Sequence, residues 1–230
     1  MAIASSFHMV QTYECQAKKT GATCCLALTS GCVYKSEAAA AKKWWSVGFA
    51  EPAYMTVWVE EAAAEDINGR IFHQIGEGIA YGGEPGYDRD YARGWLSPGL
   101  TKYTASGADL PMRIYVRWQS IVEPQTYRTW IDIPEEARQI LKQASTELCP
   151  EQPTNPDPLG GHLTLGLAPG GIVQVWVRDK CARPVKVARG VAEVEPLGPD
   201  QGKSNGEYAY KVSEESQQYI QRYGIPYGSW

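Results

Sequence analysis

Apolar and polar residues alternate along several short stretches of the chain, which is the pattern of β-strands that bury one face. The clearest stretch runs from Pro111 to Ile121. Its predicted inward-facing residues are Ile114, Val116 and Trp118, and its predicted outward-facing residues are Arg113, Tyr115, Arg117 and Gln119. A turn at Glu123-Pro124 separates this stretch from Thr126 to Ile133, so the two predict an antiparallel hairpin.

Other short stretches rich in β-branched and aromatic residues predict further strands. They are Tyr54 to Glu61, Arg70 to Ile75, His162 to Ala168, Ile172 to Val177 and Pro184 to Glu195. Pro169-Gly170-Gly171 is a turn signal between two of them, and Arg189-Gly190 suggests a bulge in the last.

Two segments have the spacing of amphipathic helices. From about Pro134 to Leu148, one apolar stripe recurs at helical spacing, with Glu135 and Glu136 in the first turn. Ser213 is a candidate cap for a second helix that ends at Tyr223, before Gly224. The fold class predicted is α+β, with a mainly antiparallel, sandwich-like β-sheet structure and two helices packed against it.

The segment from Lys18 to Cys32 has the features of a bacterial export signal. Two lysines precede a short apolar run, and the small residues Thr29, Ser30 and Gly31 precede Cys32. A cysteine in this position is typical of a lipobox, whose thiol is acylated after cleavage. Thr29 departs from that pattern, because leucine is usual three residues before the cysteine. The alternative is an ordinary apolar segment with a buried Cys32.

The lipobox interpretation divides the chain into three parts. Residues 1–31 would be a signal peptide with an over-extended start, residues 32–43 a tether, and residues 44–230 one periplasmic domain. Because Val33 rather than aspartate follows Cys32, we expect the lipid anchor to lie in the outer membrane. No other apolar run approaches the length of a membrane-spanning helix.

Charge and cysteine content narrow the function classes. After cleavage, 20 lysines and arginines and 25 aspartates and glutamates would remain, a net charge of −5 that argues against nucleic-acid binding. Besides Cys32, the mature part contains only Cys149 and Cys181. An even number in an exported protein predicts a disulfide, and the alternative is two unpaired buried thiols.

The stretch from Gly76 to Pro98 contains six glycines, three tyrosines and a tryptophan, which predicts a long irregular loop. Long loops in compact domains are often functional, and Tyr, Trp and Arg are enriched at binding hot spots. The candidate partner-binding residues are Tyr81, Tyr87, Tyr91 and Trp95. The alternative is that these aromatic side chains pack down and cover the core.

No recognisable catalytic motif is present. The sequence lacks a GxSxG elbow, a phosphate-binding loop and an HExxH motif, and its mature part has only His73 and His162. We therefore expect no enzymatic activity, no cofactor and no metal site. Paired-carboxylate hydrolysis is the enzymatic alternative, although no local spacing selects a pair.

Four segments carry a resemblance to a known family. They are residues 121–128 (IVEPQTYR), 166–177 (GLAPGGIVQVWV), 196–199 (PLGP) and 224–230 (GIPYGSW). In these segments the chain resembles a family of proteobacterial lipoproteins that is catalogued as a domain of unknown function. Members of that family are often encoded beside type VI secretion phospholipase effectors.

The resemblance implies an immunity protein, tethered to the membrane on the periplasmic side, that binds and inhibits a lipase effector. It supplies no catalytic residues. The alternatives are an envelope-maintenance or ligand-binding lipoprotein, which predicts a concave apolar pocket, and a hydrolase, which predicts clustered carboxylates in a cleft.

Overall fold

A computed structural model of the chain describes residues 45–82, 94–95, 101–154 and 161–230. They form two five-stranded sheets packed face to face. The strands of the first sheet are, in spatial order, β4 (Tyr103–Thr104), β1 (Ser46–Ala50), β7 (His162–Ala168), β8 (Ile172–Arg178) and β9 (Pro184–Val191). Those of the second sheet are β10 (Glu193–Val194), β6 (Gln125–Asp132), β5 (Pro111–Ser120), β2 (Val57–Asp66) and β3 (Ile71–Ile79).

The pairing of the strands confirms the predicted fold class. The paired strands of both sheets are antiparallel, apart from β1 and β7, which run parallel with Ser46 beside His162 and Ala50 beside Gly166. Parallel neighbours need a long connection, and here almost the whole second sheet lies between the two strands. The result is an α+β sandwich with two helices.

The core lies between the two sheets. On β5, Ile114, Val116 and Trp118 are fully buried, as their alternation predicts. The facing side chains of β7 and β8 are equally buried: Leu163, Leu165, Leu167, Val173, Val175 and Val177. Packing these two apolar faces together removes them from water, which supplies the main favourable free energy of folding.

The predicted helices are present. Helix α1 (Glu135–Thr146) packs against β7 and β8 with Ala137, Leu141 and Ala144 buried, and it ends two residues before the predicted Leu148. In helix α2 (Glu214–Tyr223), the Ser213 side chain accepts a hydrogen bond from the Ser216 N–H, as a cap does. Neither of these helices is long and apolar enough to cross a membrane.

Several predicted strand bounds were wrong. Strand β2 begins at Val57 rather than Tyr54, whose φ of 67° lies in the left-handed region and ends any extended run there. Strand β3 continues to Ile79, so Gly76 to Ile79 belong to a strand rather than to the predicted loop. Strand β1 was not predicted, because five buried residues in a row show no alternation.

The predicted strand from Pro184 to Glu195 is two strands in different sheets. The chain leaves the first sheet after β9, and the Ala192 N–H donates to the Gly171 carbonyl oxygen at 2.7 Å. Strand β10 then pairs with β6 of the second sheet. Arg189 and Gly190 pair regularly with β8, so the bulge predicted there is wrong; the register shift lies opposite Val175 and Trp176.

Candidate functional site

The sandwich has two chemically different ends. At one end, Cys149 after α1 is bonded to Cys181 in the β8–β9 turn, which confirms the predicted disulfide. We call this the disulfide end. Strand β1 starts there, because Ser46 lies beside His162 at the beginning of β7. The chain therefore enters the described domain at the disulfide end.

The two cysteines also lie close to the Glu151 carboxylate, with the ligand-type atoms of the three residues within 4.8 Å of one another. Their sulfur atoms are bonded to each other, and a disulfide offers no thiolate to a metal ion. In this oxidised form the group holds the end of α1 to the β8–β9 turn.

The opposite end carries aromatic side chains from two distant parts of the sequence, the predicted loop and the C-terminal tail. We call it the aromatic end and define it by Tyr81, Trp95, Tyr227 and Trp230. It contains the β5–β6 turn and the β7–β8 turn, which meet where Glu123 accepts a hydrogen bond from the Gly170 N–H at 2.9 Å. Strand β1 ends here at Ala50.

Tyr81 is fixed to the end of β1 through its backbone. Its N–H donates to the Phe49 carbonyl oxygen at 3.1 Å, and the Glu51 N–H donates to the Tyr81 carbonyl oxygen at 3.1 Å. The side chain is 40% exposed. The structure thus places this predicted partner-binding residue on an accessible surface with a rigid backbone behind it.

Trp95 packs down onto the first sheet. Its ring meets Trp176 of β8 edge-on, with centroids 5.2 Å apart, and it lies so close over Gly166 that a Cβ there would be 2.6 Å from the ring. Its indole nitrogen is buried. Trp95 is therefore half-buried and covers the sheet, as the alternative interpretation of the loop proposed.

Three of the predicted functional residues lie outside the described part of the chain. They are Tyr87, Tyr91 and Cys32. The partner-binding and lipidation roles assigned to them stay predictions.

The C-terminal tail docks at the aromatic end. The Trp230 indole N–H donates to the Pro169 carbonyl oxygen at 3.0 Å, and Arg189 donates to the Trp230 carbonyl oxygen at 2.5 Å. The Ser229 carbonyl oxygen lies close over Gly94, next to Trp95. Tyr227 keeps 54% of its surface exposed. The tail and the predicted loop thus form one continuous surface.

A carboxylate joins the tail to the two turns. Besides the Gly170 N–H, the Glu123 oxygens accept a hydrogen bond from the Tyr127 hydroxyl at 3.3 Å. Burial and the negative charge of Glu123 raise the pKa of Tyr127 to about 12, and the same two causes raise the pKa of Tyr227. Both phenols are therefore neutral hydrogen-bond donors at physiological pH.

Sequence reasoning did not assign Tyr227 and Trp230 to the binding surface. The dense run of glycine and aromatic residues in 224–230 was a usable signal. Three of the four segments that carry the family resemblance meet here: 121–128 through Glu123, 166–177 through Gly170, and 224–230 through Tyr227.

The two histidines of the described domain are far from this end. His162 Nδ1 lies 2.8 Å from the Ser46 hydroxyl, a serine–histidine contact that the sequence did not suggest. Both residues are buried, 0% and 2% exposed, so no substrate reaches the pair. His73 lies on exposed β3, with Nδ1 3.9 Å from a Glu61 oxygen.

A shallow cleft of about 310 Å³ lies on the outer face of the second sheet, under the segment that precedes α2. Its lining includes the carboxylates of Glu60, Asp200 and Glu207. Glu60 is engaged by Arg117 at 2.6 Å, by Gln119 at 2.8 Å and by a backbone N–H at 2.7 Å. It therefore serves as the acceptor of a buried network that holds this segment to the sheet.

The fold and this surface define a disulfide-linked, two-sheet α+β domain with an aromatic end. The chain belongs to the family described as "Protein of unknown function (DUF2931)", whose sequence profile matches residues 32–228. No curated protein and no solved structure matches the chain.

Proposed function

We propose that this protein is a membrane-tethered periplasmic lipoprotein that acts as an immunity protein, binding and inhibiting a type VI secretion phospholipase effector. Residues 1–31 are its signal peptide, and acylated Cys32 is its anchor. The aromatic end is its partner-binding surface.

The observation that carries the proposal is the arrangement of the two ends. The chain enters the domain at the disulfide end, and Tyr81, Tyr227 and Trp230 lie at the other. A domain tethered at one end presents the other to arriving proteins. Tyrosine and tryptophan combine a large apolar area with a polar tip, which suits them to protein interfaces.

A tether also favours inhibition of an enzyme that attacks membrane lipids. An effector bound to its substrate membrane meets the anchored domain at a raised local concentration, so moderate affinity gives high occupancy. Inhibition then requires only that a complementary surface covers the active-site entrance or holds a lid. No catalytic group of the immunity protein takes part.

The direct test combines binding with activity. Residues 33–230 would be mixed with the product of an adjacent lipase-like gene, and both complex formation and lipase activity would be measured. We expect a tight complex and loss of lipase activity. A mature domain that neither binds nor inhibits this lipase would refute the proposal for that pair.

Substitutions locate the surface. Y87A/W95A tests the loop, and Y227A/W230A tests the tail. If these residues are anchors, each double variant should weaken effector binding by well over about 1 kcal/mol. Y223A is a matched control, since Tyr223 is an exposed tyrosine of α2 that lies outside the aromatic end as defined here. Unchanged affinity in both folded double variants would reject this surface.

A second candidate is a ligand-binding envelope lipoprotein, and the cleft under the C-terminal segment gives it a site, although that cleft is more polar than the apolar pocket expected from the sequence. Its walls combine Trp58 and Tyr208 with polar side chains, so it suits a small polar ligand better than a lipid tail. This candidate predicts that deleting the gene disturbs the envelope in cells never exposed to an effector. The immunity proposal predicts a defect only in the presence of the effector.

A further inference from the structure

Positive charge is concentrated in one hairpin of this acidic domain. Residues 178–189 contain five lysines and arginines and one aspartate, whereas the rest of 45–230 contains 12 basic and 23 acidic residues. The hairpin consists of β8, β9 and their turn, and β9 is an edge strand of the first sheet. A partner that approaches this edge therefore meets a field opposite in sign to that of the remaining domain.

The basic residues of the hairpin differ in their pairing. Near the disulfide end, Lys180 lies 2.7 Å from a Glu147 oxygen, and Arg183 lies 2.9 Å from an Asp179 oxygen. Farther along β9, neither Lys186 nor Arg189 lies within ion-pair distance of an aspartate or glutamate side chain in the described part of the chain. Both residues are exposed, and Arg189 also donates to the Trp230 backbone oxygen at 2.5 Å.

Lys186 and Arg189 lie on the outer face of the first sheet, with Lys186 two residues after the start of β9 and Arg189 nearer the aromatic end. Lys186 is the cross-strand neighbour of Trp176, on which Trp95 packs. Arg189 is the neighbour of Gln174 and donates to the carbonyl oxygen of Trp230. Two exposed cations thus lie beside the aromatic side chains on a rigid strand pair. Arginine among tyrosine and tryptophan is the usual composition of an interface hot spot.

We infer that the partner's contact surface is acidic and docks on the outer edge of β9, with Lys186 and Arg189 facing its carboxylates and Tyr227 and Trp230 as apolar anchors. This inference rests on the proposed function, because it describes the effector surface that the immunity protein recognises. A protein suits the position better than an anionic lipid surface does, because Tyr227 and Trp230 beside Arg189 are the aromatic residue types enriched at protein hot spots. Opposite charges across a rim steer association and increase its rate.

The test measures association of the mature protein, purified in detergent, with the lipase from the adjacent gene at about 50 and about 500 mM NaCl. We expect K186E/R189E to slow association about tenfold or more at low salt and much less at high salt. K186E alone should give part of this effect. It leaves the Arg189 contact with the tail intact, so it separates lost charge from a detached tail.

K142E/K211E is the matched control, because it makes the same change in net charge at two exposed lysines outside the hairpin. The inference is supported if this control associates with the lipase as fast as the wild type does, whereas K186E/R189E associates more slowly. Equal rates for wild type, control and K186E/R189E would overturn the inference and leave the proposed function standing. A wild type that does not bind the lipase would overturn both.

A second arm examines lipid. The Cys32→Ser chain would be sedimented with phosphatidylglycerol vesicles, with and without K186E/R189E. Vesicle binding that depends on Lys186 and Arg189, together with unchanged lipase association, would overturn the inference in favour of an anionic membrane surface. Absence of vesicle binding, together with slowed lipase association, supports the acidic protein partner.

Discussion

Gly166 shows how a single residue shapes the candidate surface. A Cβ at this position would lie 2.5 Å from the Trp176 ring and 2.6 Å from the Trp95 ring. Real Cβ atoms do not approach ring atoms so closely, so a glycine is needed here for the Trp95 and Trp176 rings to pack over the strand. The loop residue and the strand are thereby fixed to each other.

G166A should therefore destabilise the protein by about 1–3 kcal/mol, the usual cost of overpacking. Urea unfolding would measure the change. G228A is the matched control, because Gly228 has open space around its Cβ position and should give almost no effect. In a W95A background the cost of G166A should shrink, since one of the two clashing rings is gone. A cost independent of Trp95 would contradict the contact.

The side-chain carboxyl group of Glu51 has a strongly raised pKa. Burial raises its pKa to about 8, although the Val57 N–H, 2.6 Å from its Oε2, opposes the shift. Its ordinary pKa is 4.5, so the folded protein holds a proton here that the unfolded chain releases between these two values. The stabilising contribution is complete below about pH 4.5 and is lost as the pH rises through about 8.

E51Q should remove this pH dependence, because glutamine stays neutral and its carbonyl can still accept from Val57. The wild type should lose stability relative to E51Q between pH 5 and pH 8, by at most about 1.4 kcal/mol per pH unit. Thermal unfolding at several pH values measures the difference. E136Q, at an exposed position of α1, is the control and should parallel the wild type. Parallel curves for E51Q and the wild type would refute the shift.

At the scale of elements, the β9–β10 segment decides how the two sheets are joined. Residues 184–194 look like one strand in the sequence, but Ala192 interrupts the run and the chain changes sheets. The alternation of apolar and polar residues indicates only which side chains face the core. Because both sheets face the same core, the alternation is the same before and after Ala192. The sequence could not reveal the change of sheet.

The disulfide joins helix α1 to the β8–β9 turn. It closes a loop between residues 32 positions apart, with Cα atoms separated by 4.7 Å. Helix α1 packs on β7 and β8 with only three buried side chains, so the covalent link holds an element of modest burial.

C149A/C181A should lower the free energy of unfolding by about 3–4 kcal/mol, because the unfolded chain regains the entropy of this loop. Urea unfolding under non-reducing conditions measures the loss. The wild type unfolded with a reductant present should match the variant, which controls for the side-chain changes themselves. A variant as stable as the oxidised wild type would contradict a structural role for the bond.

At the scale of the whole molecule, the opposed ends agree with a tethered binding protein. The chain enters at the disulfide end, the aromatic surface is at the other, and the exposed residues Lys186 and Arg189 lie on edge strand β9. If acylated Cys32 anchors the chain as proposed, this geometry leaves the proposed binding surface accessible at the membrane. This arrangement depends on the proposed acylation of Cys32.

C32S should therefore abolish acylation and move the protein from the membrane fraction to the soluble fraction. Metabolic labelling with a fatty acid and membrane fractionation measure both effects. C24S is the control, since Cys24 lies within the proposed signal peptide and its loss should change neither. Continued labelling of C32S would place the anchor elsewhere or refute it.

The sequence by itself determined the local elements of this protein. The alternation in β5, the helical stripe of α1, the cap at Ser213 and the pairing of Cys149 with Cys181 were all readable, because each depends on neighbouring residues or on a count. Strand β1 was not predicted, because its five consecutive buried residues show no alternation.

Only the tertiary structure decided where the candidate site lies. The parallel pairing of β1 with β7, the meeting of Glu123 with Gly170, and the docking of Trp230 at Pro169 join residues far apart in the sequence. Such contacts form because packing the two sheets brings their turns to the same end of the sandwich. No local sequence pattern encodes contacts between residues so far apart in the chain. Only the folded structure therefore shows that Tyr227, Trp230 and Arg189 belong to one surface.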